Sequence, residues 1–134
     1  MKFFVDNCLP PRWGPALDAL SKEDGHEVLH LRQKFAANTT DIDWIGELAG
    51  EGNWVILSGD MRITKLPHER EAWRQAQLTA FFLHKSWSAF RMWDKTWRIV
   101  RWWPRIIEQS GLVRAGAGFV IPVNFGTAGA FEQV

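Results

Sequence analysis

The chain has 134 residues, 46% of them hydrophobic and 23% charged, with a formal net charge of +1. That balance describes one folded domain with its own core and excludes a disordered chain, and the small net charge means that any surface for a polyanion is a local patch. No apolar run approaches the ~18 residues of a membrane span, residues 1–6 run into a strand rather than a secretory leader, and the lone Cys8 excludes an internal disulfide, so a cytoplasmic protein without a membrane role is expected.

Residues 2–6 form a continuous apolar run ending in Asp6, which predicts a strand buried on both faces. Pro10 and Pro11 suit the opening of a helix, in which Trp13, Ala16, Leu17 and Leu20 recur and which Gly25 closes. Residues 26–31 alternate as a short second strand, and residues 33–40 are expected as polar loop. Thr40 or Asp41 caps a second helix with Ile42, Ile45, Leu48 and Ala49 on its apolar stripe. Gly50 and Gly52 end it. Residues 54–57 are the third strand, followed by Ser58-Gly59-Asp60. Strand, helix, strand, helix, strand is the order of a small α/β unit with a parallel sheet.

Beyond Arg62, residues 67–75 predict a short charged helix, residues 78–83 a fourth strand and residues 85–109 the longest helix, kinked or ended by Pro104. Residues 118–123 predict a last strand before a Gly-rich tail. In the long helix Phe90, Trp93, Trp97 and Val100 keep helical spacing and are expected in the core. Trp102 and Trp103 fall off that stripe, and Trp102 or Trp103 is expected in a contact between chains, a homodimer or a bound partner protein. The other arrangement open to them is closure of the chain's own core against the last strand. Lys85, Arg91, Lys95, Arg98, Arg101 and Arg105 interleave with these rings, a composition that suits single-stranded RNA.

Ligands of parallel sheets bind beyond the carboxyl ends of the strands. Asp6 ends the first strand, Asp41 and Asp43 start the second helix, and Asp60 follows the third strand, so the acids share one edge. Asp6, Asp41 and Asp60 are the candidate metal ligands and catalytic acids, Asp43 an auxiliary acid, and Arg62 and Asn7 candidate phosphate-binding groups. Hard oxygen ligands favour Mg²⁺ or Mn²⁺ over zinc, and such a site serves hydrolysis of a phosphodiester. Cys8 is expected as a small buried side chain. His26 and His30 share a strand face without a third ligand, which argues against a metal between them.

The ordered segments Phe4-Val5-Asp6-Asn7-Cys8-Leu9-Pro10-Pro11, Gly25-His26-Glu27-Val28, Thr40-Asp41-Ile42-Asp43-Trp44-Ile45 and Val55-Ile56-Leu57-Ser58-Gly59-Asp60 resemble the opening half of short PIN-like domains. The resemblance covers residues 2–66. It implies a three-layer α/β fold with a mainly parallel central sheet flanked by helices, one domain in which residues 1–66 form the acidic half and residues 67–134 the Trp/Arg-rich half. It further implies a VapC-like toxin, a metal-dependent ribonuclease with an RNA substrate and an antitoxin protein as partner. Two positions depart from that pattern. Asn7 stands where many relatives have Glu, and Arg62 where many have a further Asp. They leave a second expectation, a catalytically inactive PIN-like module that binds protein or RNA.

Overall fold

The computed structural model describes residues 1–60 and 65–134. The strands are β1 (Lys2–Val5), β2 (Glu27–His30), β3 (Trp54–Ser58), β4 (Thr79–Leu83), β5 (Gly118–Ile121) and β6 (Glu132–Gln133). They form one sheet in the order β2-β1-β3-β4-β5-β6, parallel throughout except for β6, which runs antiparallel to β5. The helices are α1 (Trp13–Ser21), α2 (Leu31–Lys34), α3 (Asp41–Glu51), α4 (Pro67–Ala76) and α5 (Met92–Leu112). The expected mainly parallel α/β fold is therefore present, and among the described residues no helix is long and apolar enough to cross a membrane.

Side chains alternate across a strand, and here both faces are covered. Phe3, Val5, Val55, Leu57, Phe81 and Leu83 point to a core shared with α1 and α5. Phe4, Ile56, Ala80 and Phe82 point to a second core under α2, α3 and α4. This is why β3 and β4 are apolar but for Ser58 and Thr79 at their ends, with all five residues of each buried. The result is three layers, with the sheet between two helical layers.

Local chemistry sets the helix ends. The Thr40 hydroxyl accepts from the Asp43 N–H at 3.2 Å and caps α3. Gly25 closes the 3₁₀ turn after α1 at φ 82°, a conformation that favours glycine. The expected polar loop after β2 instead holds α2, because His30 and Gln33 form a reciprocal capping box. Gly14 lets α1 sit on this corner, since a Cβ there would collide with Gln33 Oε1 and stand 2.7 Å from the His30 nitrogen.

The second half departs further from expectation. Residues 85–89 form a 3₁₀ segment, and the long helix begins only at Met92. Pro104 lies inside α5 without ending it. The core stripe of α5 is Ile99, Trp102, Trp103 and Ile106, all buried, whereas Trp93 is 80% and Trp97 51% exposed. Both expectations for α5 are thus corrected: the stripe through Trp93 and Trp97 faces outward, and Trp102 and Trp103 close the chain's own core. Trp103 packs at a tilt against Phe3 with ring centres 4.8 Å apart, and Trp102 against Phe125 and Phe131 at 4.8 and 5.1 Å. The Gly-rich tail is equally structured. It returns across α5, Arg105 Nε donates to the Gly129 carbonyl at 3.0 Å, and the chain ends in β6.

Candidate active site

The sheet order reverses between β1 and β3, since β2 follows β1 on one side and β3 on the other. Their carboxyl ends form the crevice where open α/β sheets bind ligands. Asp6 stands at the end of β1, its N–H bonded to the Leu57 carbonyl at 2.9 Å, which extends the β1–β3 ladder by one step. The chain then turns, with Leu9 N–H donating to the Asp6 carbonyl at 3.0 Å. The Asp6 side chain is 5% exposed.

Its carboxylate is held at both oxygens. Oδ1 accepts from the Asn7 N–H at 2.6 Å, and Oδ2 accepts from the Ser58 hydroxyl at 2.8 Å. Ser58 Oγ also accepts from the Asp60 N–H at 3.1 Å. Ser58, the last residue of β3, thus joins the two acidic strand ends. Sequence reading gave it no role, because a hydroxyl at a strand end is common. The signal available was its place two residues before Asp60.

Burial raises the Asp6 pKa above the ordinary carboxylate value. The Ser58 and Asn7 hydrogen bonds partly oppose this, and the charges of Asp41 and Asp60 add to it. Asp41 and Asp60 are therefore the acids that act on Asp6. Asp41 begins α3, half-buried, with Oδ1 accepting from Trp44 Nε1 at 3.0 Å. Asp43 is exposed on the same first turn. Arg62 lies outside the described residues. Asn7 directs its side chain toward the α2–α3 loop, where Nδ2 donates to the Ala37 carbonyl at 3.1 Å and Oδ1 accepts from Arg32 Nε at 2.9 Å. That interaction brings the Arg32 guanidinium beside the site, a cation the sequence did not single out.

Cys8 is exposed rather than buried, contrary to expectation. Its thiol donates to Asp6 Oδ2 at 3.7 Å and accepts from the Gly59 N–H at 3.3 Å. Desolvation of the thiol and the neighbouring Asp6 carboxylate push its pKa up to about 11. His30 is fully buried. Its Nε2 donates to the Leu9 carbonyl at 2.9 Å and its Nδ1 accepts from the Arg32 N–H at 3.1 Å, which fixes the neutral tautomer. Burial lowers its pKa accordingly. His30 thus anchors the turn that carries Asp6.

A profile of the PIN like domain family matches residues 1–85. The chain belongs to the PIN-like domain family. No curated protein and no solved structure matches it. The matched part of this PIN-like domain contains Asp6, Asp41, Asp43, Ser58 and Asp60, and it ends before α5.

The donor chemistry can be compared with what a divalent cation needs. Among the described residues no group of three His, Cys, Asp or Glu side chains is close enough to cage a metal ion. A cage of three or more protein side chains, such as structural zinc sites use, does not fit. Mg²⁺ keeps several waters and is commonly held by one or two carboxylates together with substrate phosphates. Asp6 with Asp60 or Asp41 offers that kind of donor set, and a cation would offset both the burial that chiefly raises the Asp6 pKa and the repulsion from Asp41 and Asp60 that adds to it.

Proposed function

We propose that this PIN-like domain is a Mg²⁺- or Mn²⁺-dependent ribonuclease, the toxin of a toxin–antitoxin pair. One observation supports it most: a buried carboxylate at the sheet's switch point, its pKa raised in part by two further acids, in a family that often holds metal-dependent nucleases. Asp6 and Asp60 would hold the metal, with Asp41 through a bridging water. When bound, the metal would polarise the phosphoryl oxygen and lower the pKa of the attacking water. Ser58 and the Asn7 N–H fix the Asp6 carboxylate in one orientation, which spares the site the cost of ordering it during the reaction. His30 holds the Asp6–Leu9 turn through the Leu9 carbonyl, and Cys8 ties that turn to Gly59 after β3. Arg32 supplies a positive group beside the edge that can meet a phosphate.

The test is cleavage of a mixed-sequence single-stranded RNA by the purified chain. Cleavage should appear with millimolar Mg²⁺ or Mn²⁺ and stop on chelation by EDTA. Cleavage that persists in EDTA, or none at any metal concentration, would refute the metal-nuclease reading. The toxin reading has its own test. Induced expression should arrest growth, and a small protein encoded next to it should relieve the arrest and co-purify with it.

A further inference from the structure

Outside the acidic edge, the least accounted-for surface is the outer face of α5. Trp93 and Trp97 are exposed there although they are among the largest apolar side chains in the chain. Large exposed rings mark interaction surfaces. Their neighbours are cationic: the Arg98 guanidinium lies 4.0 Å from the Phe90 ring centre and 4.3 Å from that of Trp97, and Arg101 lies 4.6 Å from Phe125. Between α5 and residues 123–126 runs a groove of about 260 Å³, with Trp97, Arg98, Arg101 and Phe125 along it and Trp102 in its wall.

The charge on this face favours an anionic partner. The acids of α5 are Asp94 and Glu108, and Glu108 is paired with Arg105 at 2.9 Å. Arg98 Nη1 donates to the Asp94 backbone carbonyl, not to its carboxylate. Among the described residues no carboxylate pairs with Arg91, Lys95, Arg98 or Arg101.

Topology places the groove on the same sheet edge as the acids. His84, just after β4, donates its N–H to the carbonyl of Ile121, the last residue of β5, so both chains leave the sheet at its carboxyl edge. α5 starts from that edge and runs back to the amino end of β5, which puts Trp93 and Trp97 in its first two turns. β5 is two strands from β3, about 10 Å along the edge. Exposed Lys85 and Arg91 lie in the segment between β4 and α5.

We propose that this groove binds single-stranded RNA, with bases stacked on Trp93 and Trp97 and phosphates met by Arg98 and Arg101. Unstacked bases present flat faces to rings and guanidinium planes, and the backbone supplies the negative charge, so one polymer satisfies both features of the groove. A duplex hides its base faces and satisfies only the charge. The proposal rests on the ribonuclease reading for its substrate and goes beyond it by locating a recognition surface in a segment beyond the family match.

The test uses a fluorescently labelled twelve-nucleotide uridine-rich RNA and fluorescence anisotropy in EDTA, so that binding is read without cleavage. The wild-type chain should bind it more tightly than a duplex of the same length. The Trp93→Ala/Trp97→Ala pair should weaken binding about tenfold or more, and Arg98→Gln/Arg101→Gln by a similar factor. The arginine pair should also lower the slope of log affinity against log salt by about 1.4, at about 0.7 for each phosphate no longer neutralised. Both rings are exposed, so the tryptophan variant should keep the wild-type circular dichroism melt. Unchanged affinity in these variants, equal affinity for the duplex, or no binding by the wild-type chain overturns the proposal. So does a fall in oligomeric mass in the tryptophan variant with RNA affinity intact, because the face is then a contact between copies. The acidic edge is judged separately: a chain that binds through the groove yet cleaves nothing with Mg²⁺ or Mn²⁺ sinks the nuclease reading and leaves this one standing.

Discussion

Asp6→Asn should fold like the parent chain and cleave RNA at least about a hundredfold more slowly. Asn is close to isosteric, so its carbonyl oxygen can accept from the Asn7 N–H and its amide can donate to Ser58 Oγ, the two atoms that hold the carboxylate now. What disappears is the charge. The Asp6 pKa is raised above its ordinary value of 3.8, chiefly by burial. The folded state therefore holds that proton more tightly than the unfolded state. The stability this contributes is complete below pH 3.8 and is lost as pH rises through the folded-state pKa. At neutral pH the ionised carboxylate opposes folding. The Asn variant has no such penalty, so without metal it should melt at the same temperature as the parent or higher, and the gap should close as the buffer is acidified. Adding Mg²⁺ should raise the melting temperature of the parent and leave the variant unchanged. A variant that fails to fold would show that Asp6 is structural, and one that cleaves at the parental rate would place the centre elsewhere.

The acidic edge was readable because apolar strand runs are unlike anything around them. An acid directly after residues 2–5 has no propensity reason to be there, whereas Asp60, in a Ser-Gly-Asp turn, is also an ordinary turn residue, and both lie at the sheet's carboxyl edge. The ties between the acids were not readable. Ser58 joins Asp6 to Asp60 only because β1 and β3 are neighbours in register, Val5 opposite Leu57, a property of the sheet rather than of either segment. The direction of the Asn7 side chain was equally unreadable, because it depends on where the α2–α3 loop places the Ala37 carbonyl.

The inversion on α5 has a different cause. The helix carries two apolar stripes, and periodicity alone cannot say which one meets the sheet. The charges could have decided it. Asp94, Arg98 and Arg101 sit beside Trp93 and Trp97, whereas Ile99, Trp102, Trp103 and Ile106 form a set with no charged member. Weighting the stripe by its charged neighbours, not by the size of its rings, gives the observed orientation. The break before Met92 also removes Phe90 from the helix, so the expected stripe lost its first member.

The two buried indoles of α5 allow a test of the monomer core that the sequence alone left open. Trp102→Ala and Trp103→Ala should each cost about 3–5 kcal/mol in a urea titration, the range for large aromatic truncations in a core. That is a large share of the ~5–15 kcal/mol that holds a typical domain together. The oligomeric mass should not change. Replacement by Phe separates the pair. Trp103 Nε1 donates to Ser21 Oγ at 2.7 Å, and Ser21 donates onward to the Leu17 carbonyl at 2.7 Å, so Trp103→Phe loses a buried hydrogen bond as well as ring volume. Trp102 Nε1 is buried with no hydrogen-bond partner among the described residues. Removing an unsatisfied buried donor recovers about 1–3 kcal/mol of desolvation, which offsets the lost volume. Trp102→Phe should therefore be the milder change, by about 1 kcal/mol or more. Equal costs would mean that the Trp102 N–H has a partner, such as an ordered water. A shift from dimer to monomer with little loss of stability in either Ala variant would mean that the ring sits between chains and that the core assignment is wrong.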